Sequence, residues 1–453
     1  MAKAKTVFFC TNCGYESPRW LGQCPSCREW NRFSEEVVAP RELKSRSGVG
    51  RMEGDVPEAI SQIKGDSAKR LSLGDVEMER TLGGGLVPGS VVLLAGEPGI
   101  GKSTLMLQTA LRYTKGNVLY VSGEESKAQI AGRGERIGAL SDNCFLLGET
   151  DPATIVSHAR KLEPHFLIVD SVQTLESGAL DSAAGSVSQI RESTAQLIRY
   201  AKTHDVAIFL IGHITKEGQI AGPKVLEHMV DTVLVFEGDQ QHMYRLLRCS
   251  KNRFGGTNEL GIYEMEGKGL RPVENPSELL RSPLSEDLSG SASAAIIEGV
   301  RPLIIEVQAL VSSAVYGTPR RSATGFDVKR LQMLLAVLEK RCGFQLGAKD
   351  VFLNIAGGLK VNDPSIDLAV TAAVLSSSED LSLPRHTCFA GEVGLSGEIR
   401  PVTHIDTRIS EASKLGFRRI LIAKAHKEVH VPKDGVEVVR VAKVNDMLRT
   451  MFG

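Results

Sequence analysis

The 453-residue chain carries no net charge: 54 lysines and arginines stand against 54 aspartates and glutamates. That balance excludes a polycation that coats nucleic acid along its whole length, and it excludes an acidic solubilising protein. A local basic patch remains open. The chain also lacks any apolar run of the roughly 18 residues needed to span a bilayer, so no membrane segment is expected. Its start, MAKAKTVFFCTNCGYES, has two early lysines but no apolar stretch of signal-peptide length. A cytoplasmic protein with reduced thiols is therefore expected. There is no repeat of solenoid period. Tryptophan is scarce, at two residues, Trp20 and Trp30. What remains is ordinary for a globular chain: 42% hydrophobic and 24% charged residues. At about 150 residues per domain the length suggests roughly three domains, large enough to build cores without disulfides.

The eight cysteines are unevenly placed. Cys144, Cys249, Cys342 and Cys388 are scattered and read as small core residues. Cys10, Cys13, Cys24 and Cys27 form two Cys-x2-Cys pairs separated by ten residues. Two such pairs bring four thiolates to one tetrahedral centre, which suits a structural Zn²⁺ and leaves no open catalytic position. Two disulfides are the alternative, disfavoured in a reducing compartment. Gly14 and Gly22 supply tight turns beside the sulfurs. Both tryptophans fall in this module; packing it is the favoured role, with stacking on bases or a partner as the other.

Composition divides the chain into a four-cysteine zinc module (1–33), a linker (34–66), an α/β domain (67–271), a second linker (272–294) and another α/β domain (295–453). In the first α/β domain the runs VVLLAG, NVLYVSG, FLIVD, AIFLIG and TVLVFE read as buried parallel strands. Helical stretches between them fit right-handed crossovers.

Between the first of those strands and a helical stretch lie Gly96, Glu97, Pro98, Gly99, Ile100, Gly101, Lys102, Ser103 and Thr104. This is G-x4-G-K-[ST] in its required strand–loop–helix setting, so ATP binding is expected. Backbone amides would face the phosphates, Lys102 would reach the β/γ-phosphates, and Ser103 would bind Mg²⁺. Asp170, at the end of FLIVD, would complete the Mg²⁺ shell. Glu124 and Glu125 end another strand; one of them would activate water, with Glu124 preferred. His213 ends AIFLIG, where a polar side chain can sense the γ-phosphate; a satisfied structural histidine is the alternative. The polar, glycine-bearing stretch that follows, with Lys216 and Lys224, reads as a ligand-contacting loop.

LGGGLVPGSVVLLAGEPGIGKST, VLYVSGEES, LIVDSVQTL and IFLIGHITKEG together resemble the RecA-like ATPase core. With the cysteine module ahead and KNRFG (251–255) behind, essentially the whole chain resembles the bacterial RadA (Sms) family of DNA-repair ATPases. The resemblance implies ATP at subunit interfaces, a homo-hexameric ring and a helicase-like, DNA-dependent ATPase. It also implies binding to single-stranded DNA, branch migration of branched recombination intermediates, and RecA recombinase as a partner. By position it assigns Lys102, Ser103 and Asp170 to phosphate and magnesium and Glu124 to the general base. His213 falls where RecA has glutamine. Lys251 and Arg253 are implied candidates for a finger that reaches the neighbour's nucleotide.

The C-terminal domain resembles the proteolytic domain of Lon. Ser365 stands at the nucleophile's place, but the alignment puts Asp406 where Lon has its lysine. An aspartate cannot serve as that neutral base, so no peptidase activity is expected. Residues 317–349 hold Arg320, Arg321, Lys329, Arg330, Lys340, Arg341 and Lys349 against Asp327 and Glu339, a net +5. This excess suggests duplex DNA binding; a solvated helix face is the alternative. Two other functions compete with the DNA motor: a nucleotide-switched scaffold without translocation, and an ATP-dependent peptidase.

Overall fold

The computed structural model describes residues 5–10, 15–38, 59, 70–138, 140–213, 225–238, 244–273, 277, 288–314, 319–432 and 435–453. Cys13, Lys216 and Lys224 lie outside the described residues, as does most of each expected linker. Among the described residues, no helix is long and apolar enough to cross a membrane. They divide into two compact units, Met1–Glu237 with Arg245–Pro272, and Gly238–Tyr244 with Val273–Gly453.

The cysteine module is a three-stranded antiparallel sheet, with Lys5–Cys10 between Glu16–Ser17 and Phe33–Val38. The last strand runs on past residue 33 because Glu35 to Val38 pair with Phe8 to Lys5. Alternation buries Val7 and Phe9, an apolar core of very few side chains. The tryptophans do not fill it. Trp20 is 51% exposed and Trp30 65% exposed, against the packing role expected from composition.

A nine-stranded sheet forms the first α/β domain. Its strand order is Gly269–Pro272, Leu260–Glu266, Tyr244–Asn252, Thr232–Glu237, Val91–Gly96, Ala207–His213, Phe166–Asp170, Val118–Ser122, Cys144–Gly148. The last six are parallel. All five runs read as buried strands are among them. Both faces are apolar because successive side chains alternate: Leu94, Tyr120, Ile168 and Phe209 join one core, while Leu93, Leu119, Leu167 and Leu210 join the other. The sequence reading missed the edge strand Cys144–Gly148. Its sequence, CFLLG, is itself a short apolar run, but it forms the sheet edge and is only partly buried.

The second unit holds a seven-stranded mixed sheet, ordered Arg321–Thr324, Lys349–Ile355, Arg301–Ser313, Ser291–Glu298, Thr387–Ala390, Arg419–Ala423, Glu437–Val441. Ser291 to Ala294, inside the stretch read as linker, are already strand and pair with Gln308 to Ile305. The helix Asp367–Glu379 is buried from Asp367 through Ser376. The helix Val328–Cys342 buries Leu331, Leu334, Leu335, Val337 and Leu338 along one stripe.

A candidate nucleotide site and a cysteine cluster

The phosphate loop sits at the C-terminal end of the strand Val91–Gly96 and opens the helix Lys102–Arg112. Gly99 and Gly101 take φ of +78° and +113°, which only glycine adopts freely. At Gly96 an added Cβ would lie 2.6 Å from the Phe236 carbonyl oxygen. The loop therefore closes against the neighbouring strand only with glycine there.

Lys102 is buried, and its ammonium donates to the carbonyls of Gly96 and Glu97, both at 2.8 Å. Burial pulls its pKa down to about 8, opposed by the carboxylates of Asp170, Glu124 and Glu97. The same ammonium lies 3.1 Å from His213 Nδ1. Burial and then the Lys102 charge lower the His213 pKa, favouring the neutral ring. With Nδ1 accepting from Lys102, the ring proton belongs on Nε2, which lies 4.0 Å from Glu124 Oε1. His213 thus links the phosphate-loop lysine to the carboxylate that sequence put forward as general base.

Glu124 accepts from Ser171 Oγ at 2.7 Å, and its side chain is half exposed. Glu125 turns away and pairs with Arg133 on the next helix. Asp170 accepts from Tyr120 Oη at 2.7 Å. This fixes one carboxylate oxygen and leaves the other for a cation. Ser103 and Thr104 begin the helix beyond the loop. These donors and acceptors suit a nucleoside triphosphate with Mg²⁺: the loop glycines, a buried lysine, a hydroxyl, and a carboxylate at the end of a strand one removed from the loop's own. Sequence alone did not single out Ser171, Tyr120 or Arg133. Their hydroxyl and guanidinium groups become informative only once the strand ends are aligned.

KNRFG lies at the opposite end of the same sheet. Asp231 receives the Val91 amide on Oδ2 at 3.0 Å, and its own amide donates to the Val91 carbonyl at 2.9 Å. This buried carboxylate also holds Lys202 at 2.7 Å and Arg253 at 3.2 Å. Burial alone would raise the Asp231 pKa, but the hydrogen bonds from Lys202 and the Val91 amide outweigh it and the net shift is downward. Val91 begins the strand that ends at Gly96, so Arg253 lies about 17 Å from its own phosphate loop at ~3.3 Å per residue. Lys251 donates to the carbonyls of Glu227 and Val230, at 2.6 and 2.8 Å, and caps the helix Val225–Met229. Asn252 donates to the Leu82 carbonyl, and Arg70 donates to that of Phe254. Of the two basic residues, Arg253 keeps an exposed side chain, at 55%.

The three described cysteines of the N-terminal module, Cys10, Cys24 and Cys27, gather their sulfurs within 4.8 Å of one another. Cys10 Sγ and Cys27 Sγ are 3.6 Å apart. Zn–S bonds of about 2.3 Å in a tetrahedron require about 3.8 Å between sulfurs, so the cluster fits zinc. The Cys10 amide bonds the Tyr15 carbonyl and the Cys24 amide bonds that of Glu29, turning both ends of the pattern inward.

In the C-terminal unit, Arg408 and not Asp406 faces Ser365. The two are separated by about 200° around their helix. Asp406 accepts from the His430 amide. Arg408 is 1% exposed and donates to Ser365 Oγ, Asp363 Oδ2 and the Ala295 carbonyl, each at 2.7 Å. A guanidinium stays charged and cannot accept the serine proton. Arg408→Ala should cost about 3–5 kcal/mol, because it strands the Asp363 carboxylate. Ser365→Ala should cost only about 1 kcal/mol. Denaturant melts of the full chain compare the two; equal costs would remove the structural role given to Arg408.

The basic stretch is partly engaged internally. Arg330 forks onto buried Asp367 and reaches the Val393 carbonyl. Arg321 donates to the carbonyls of Lys349 and Leu346. Arg320, Lys329, Lys340 and Arg341 are exposed.

Family models match in three places: an AAA domain at residues 66–219, a rubredoxin metal-binding domain at 8–35, and the ChlI subunit of Mg-chelatase at 308–426. These agree with the P-loop ATPase core, the N-terminal zinc ribbon and the Lon-like α/β domain read from the sequence. Among curated proteins, the chain is 46% identical to the DNA repair protein RadA of Halalkalibacterium halodurans and 47% identical to that of Bacillus subtilis, over 100% of both partners. It is 48% identical to RadA of Listeria monocytogenes over 99% of both. At that identity over the full length, the chain belongs to the family of the DNA repair protein RadA.

Proposed function

We propose that the chain is a DNA-repair ATPase that works as a homo-hexameric ring on single-stranded DNA and drives branch migration of recombination intermediates. The observation that carries the ring is the position of Arg253. It lies too far from its own phosphate loop to touch that nucleotide, yet it is exposed and anchored to a buried carboxylate. A neighbour's nucleotide is its natural target, and hydrolysis then depends on assembly.

In this reading ATP and Mg²⁺ are held by the loop 96–104 and Asp170. Glu124 orients and deprotonates the attacking water, and His213 senses the γ-phosphate next to both Lys102 and Glu124. Zinc holds the four-cysteine module together. Lys216 and Lys224 would contact single-stranded DNA. Arg320, Lys329, Lys340 and Arg341 would contact duplex phosphates, with Arg321 and Arg330 shaping the surface beneath. RecA recombinase is the expected partner and the cytoplasm the expected compartment.

The test is steady-state ATP hydrolysis at fixed low salt, with and without single-stranded DNA, with Lys102→Ala as blank. Several-fold stimulation is expected, and Glu124→Gln should lower the rate about 10²–10⁴-fold while nucleotide still binds. A wild-type rate indifferent to DNA would favour a nucleotide-switched scaffold.

A further inference from the structure

The zinc ribbon buries Phe9 but turns Tyr15, Trp20 and Trp30 outward. Of the large apolar side chains that are exposed among the described residues, five are aromatic, and Tyr15, Trp20 and Trp30 are three of them. The two indoles border one glycine: a Cβ added at Gly22 would lie 3.7 Å from Trp30 Cζ3 and 3.9 Å from Trp20 Cζ3. No bulk separates them, and neither contributes to the small core of Val7 and Phe9.

The charge nearest them in sequence is mostly positive, although the ribbon also carries Glu16, Glu35 and Glu36 outside residues 18–33. Between Pro18 and Phe33 stand Arg19, Arg28 and Arg32, and Glu29 is the only acid. All three arginines are exposed. Arg19 and Arg28 have no ion pair among the described residues. A zinc tetrathiolate would itself carry negative charge; Cys10 and Cys24 are 0% exposed and Cys27 is partly buried, whereas the three arginines are exposed.

We infer that Trp20 and Trp30, with Arg19 and Arg28, form a platform for unpaired nucleotides, separate from the nucleotide site and from the basic stretch of the C-terminal unit. An exposed indole offers a flat π-face to any unstacked base, and adjacent guanidiniums meet the phosphates. A duplex hides its base faces and offers the indoles nothing to stack on. The platform does not depend on the motor reading, because it involves neither ATP nor the ring.

The chain provides its own reporter. Trp20 and Trp30 are its only tryptophans, so intrinsic tryptophan emission reports on this surface alone. The experiment adds oligothymidylate to the full-length protein without ATP, following tryptophan emission and the anisotropy of the labelled oligonucleotide together. An abasic oligomer of equal length and a duplex serve as controls. Emission should be quenched by oligothymidylate and much less by either control. A W20A/W30A double variant should bind oligothymidylate about tenfold more weakly. Its zinc content and its DNA-free ATPase rate should be those of wild type. Binding by anisotropy with unchanged emission would overturn the inference, as would equal quenching by the abasic oligomer or the duplex.

Discussion

Arg253→Ala should lower ATP turnover about 10³-fold or more while leaving nucleotide affinity nearly unchanged. The second half of that expectation follows from geometry. Arg253 is anchored at the start of the sheet through Asp231, and the phosphate loop is at its end. Removing its side chain therefore does not disturb Lys102, His213 or Asp170 in the same subunit. The first half follows from charge: a guanidinium from a neighbour would neutralise the negative charge that develops on the transferring phosphoryl group. Mixing makes the prediction sharp. Lys102→Ala and Arg253→Ala subunits are each expected to be inactive alone. Where a Lys102→Ala subunit presents its intact Arg253 to the intact loop of an Arg253→Ala subunit, one working site is rebuilt. Random equal mixing should restore roughly a quarter of the sites in a ring of heterologous interfaces. Mixtures that stay inactive, with mixed rings verified by mass, would sink the shared-site idea. So would full hydrolysis by a verified wild-type monomer.

The variant must also be distinguished from a merely destabilised protein. Asp231 is buried with two cationic partners, Lys202 and Arg253. Loss of Arg253 leaves Lys202 and the Val91 amide in place, so the carboxylate remains compensated. Arg253→Lys is a useful companion, since it keeps the charge near Asp231 but loses the planar fork that fits a phosphoryl group. It should fold like wild type and still hydrolyse poorly.

How far the sequence could be read depended on whether the signal was local. The phosphate loop was legible because its residues are consecutive and glycine is obligatory at fixed places, Gly99 and Gly101 by their positive φ and Gly96 by its closeness to the Phe236 carbonyl. The five central strands were legible because both sheet faces are buried, which writes an uninterrupted apolar run into the chain. Cys144–Gly148 carries a similar short run, CFLLG, and was passed over; it forms the sheet edge and is only partly buried, so the run does not mark a strand covered on both faces. Glu124 and Glu125 differ in a way that sequence could not display: Glu125 pairs with Arg133, eight residues on, while Glu124 lies 4.0 Å from His213. Arg408 was missed for the same kind of reason. Alignment along the chain pointed to Asp406, but helix phase turns Arg408 inward beside Ser365. Trp20 and Trp30 reversed the usual burial rule for large side chains. A ribbon with so few core positions has no interior able to hold two indoles.

With that lack of interior, a zinc ion held by the cysteines would be the decisive element in the module, and its removal should have the largest effect on stability. A metal centre of this kind contributes about 10–16 kcal/mol at neutral pH, more than a three-stranded sheet with Val7 and Phe9 as its core can supply. Chelation should therefore unfold residues 5–38 without unfolding the ATPase core, whose two apolar clusters involve none of the cysteine ligands. Native-state hydrogen exchange provides the measurement. Amides of Val7 and Phe9 should lose protection on chelation, while those of Leu93 and Leu210 keep theirs. Acid should act in the same direction, because protonating thiolates releases the metal; the ribbon should open at a pH where the core is still folded. Cys24→Ser should reproduce the chelated state, as its sulfur is fully buried and a hydroxyl is a poor zinc ligand. Unchanged protection at Val7 and Phe9 after verified metal removal would mean that the sheet holds itself together. The zinc would then be incidental to its fold, and the outward-facing aromatic surface would survive without it.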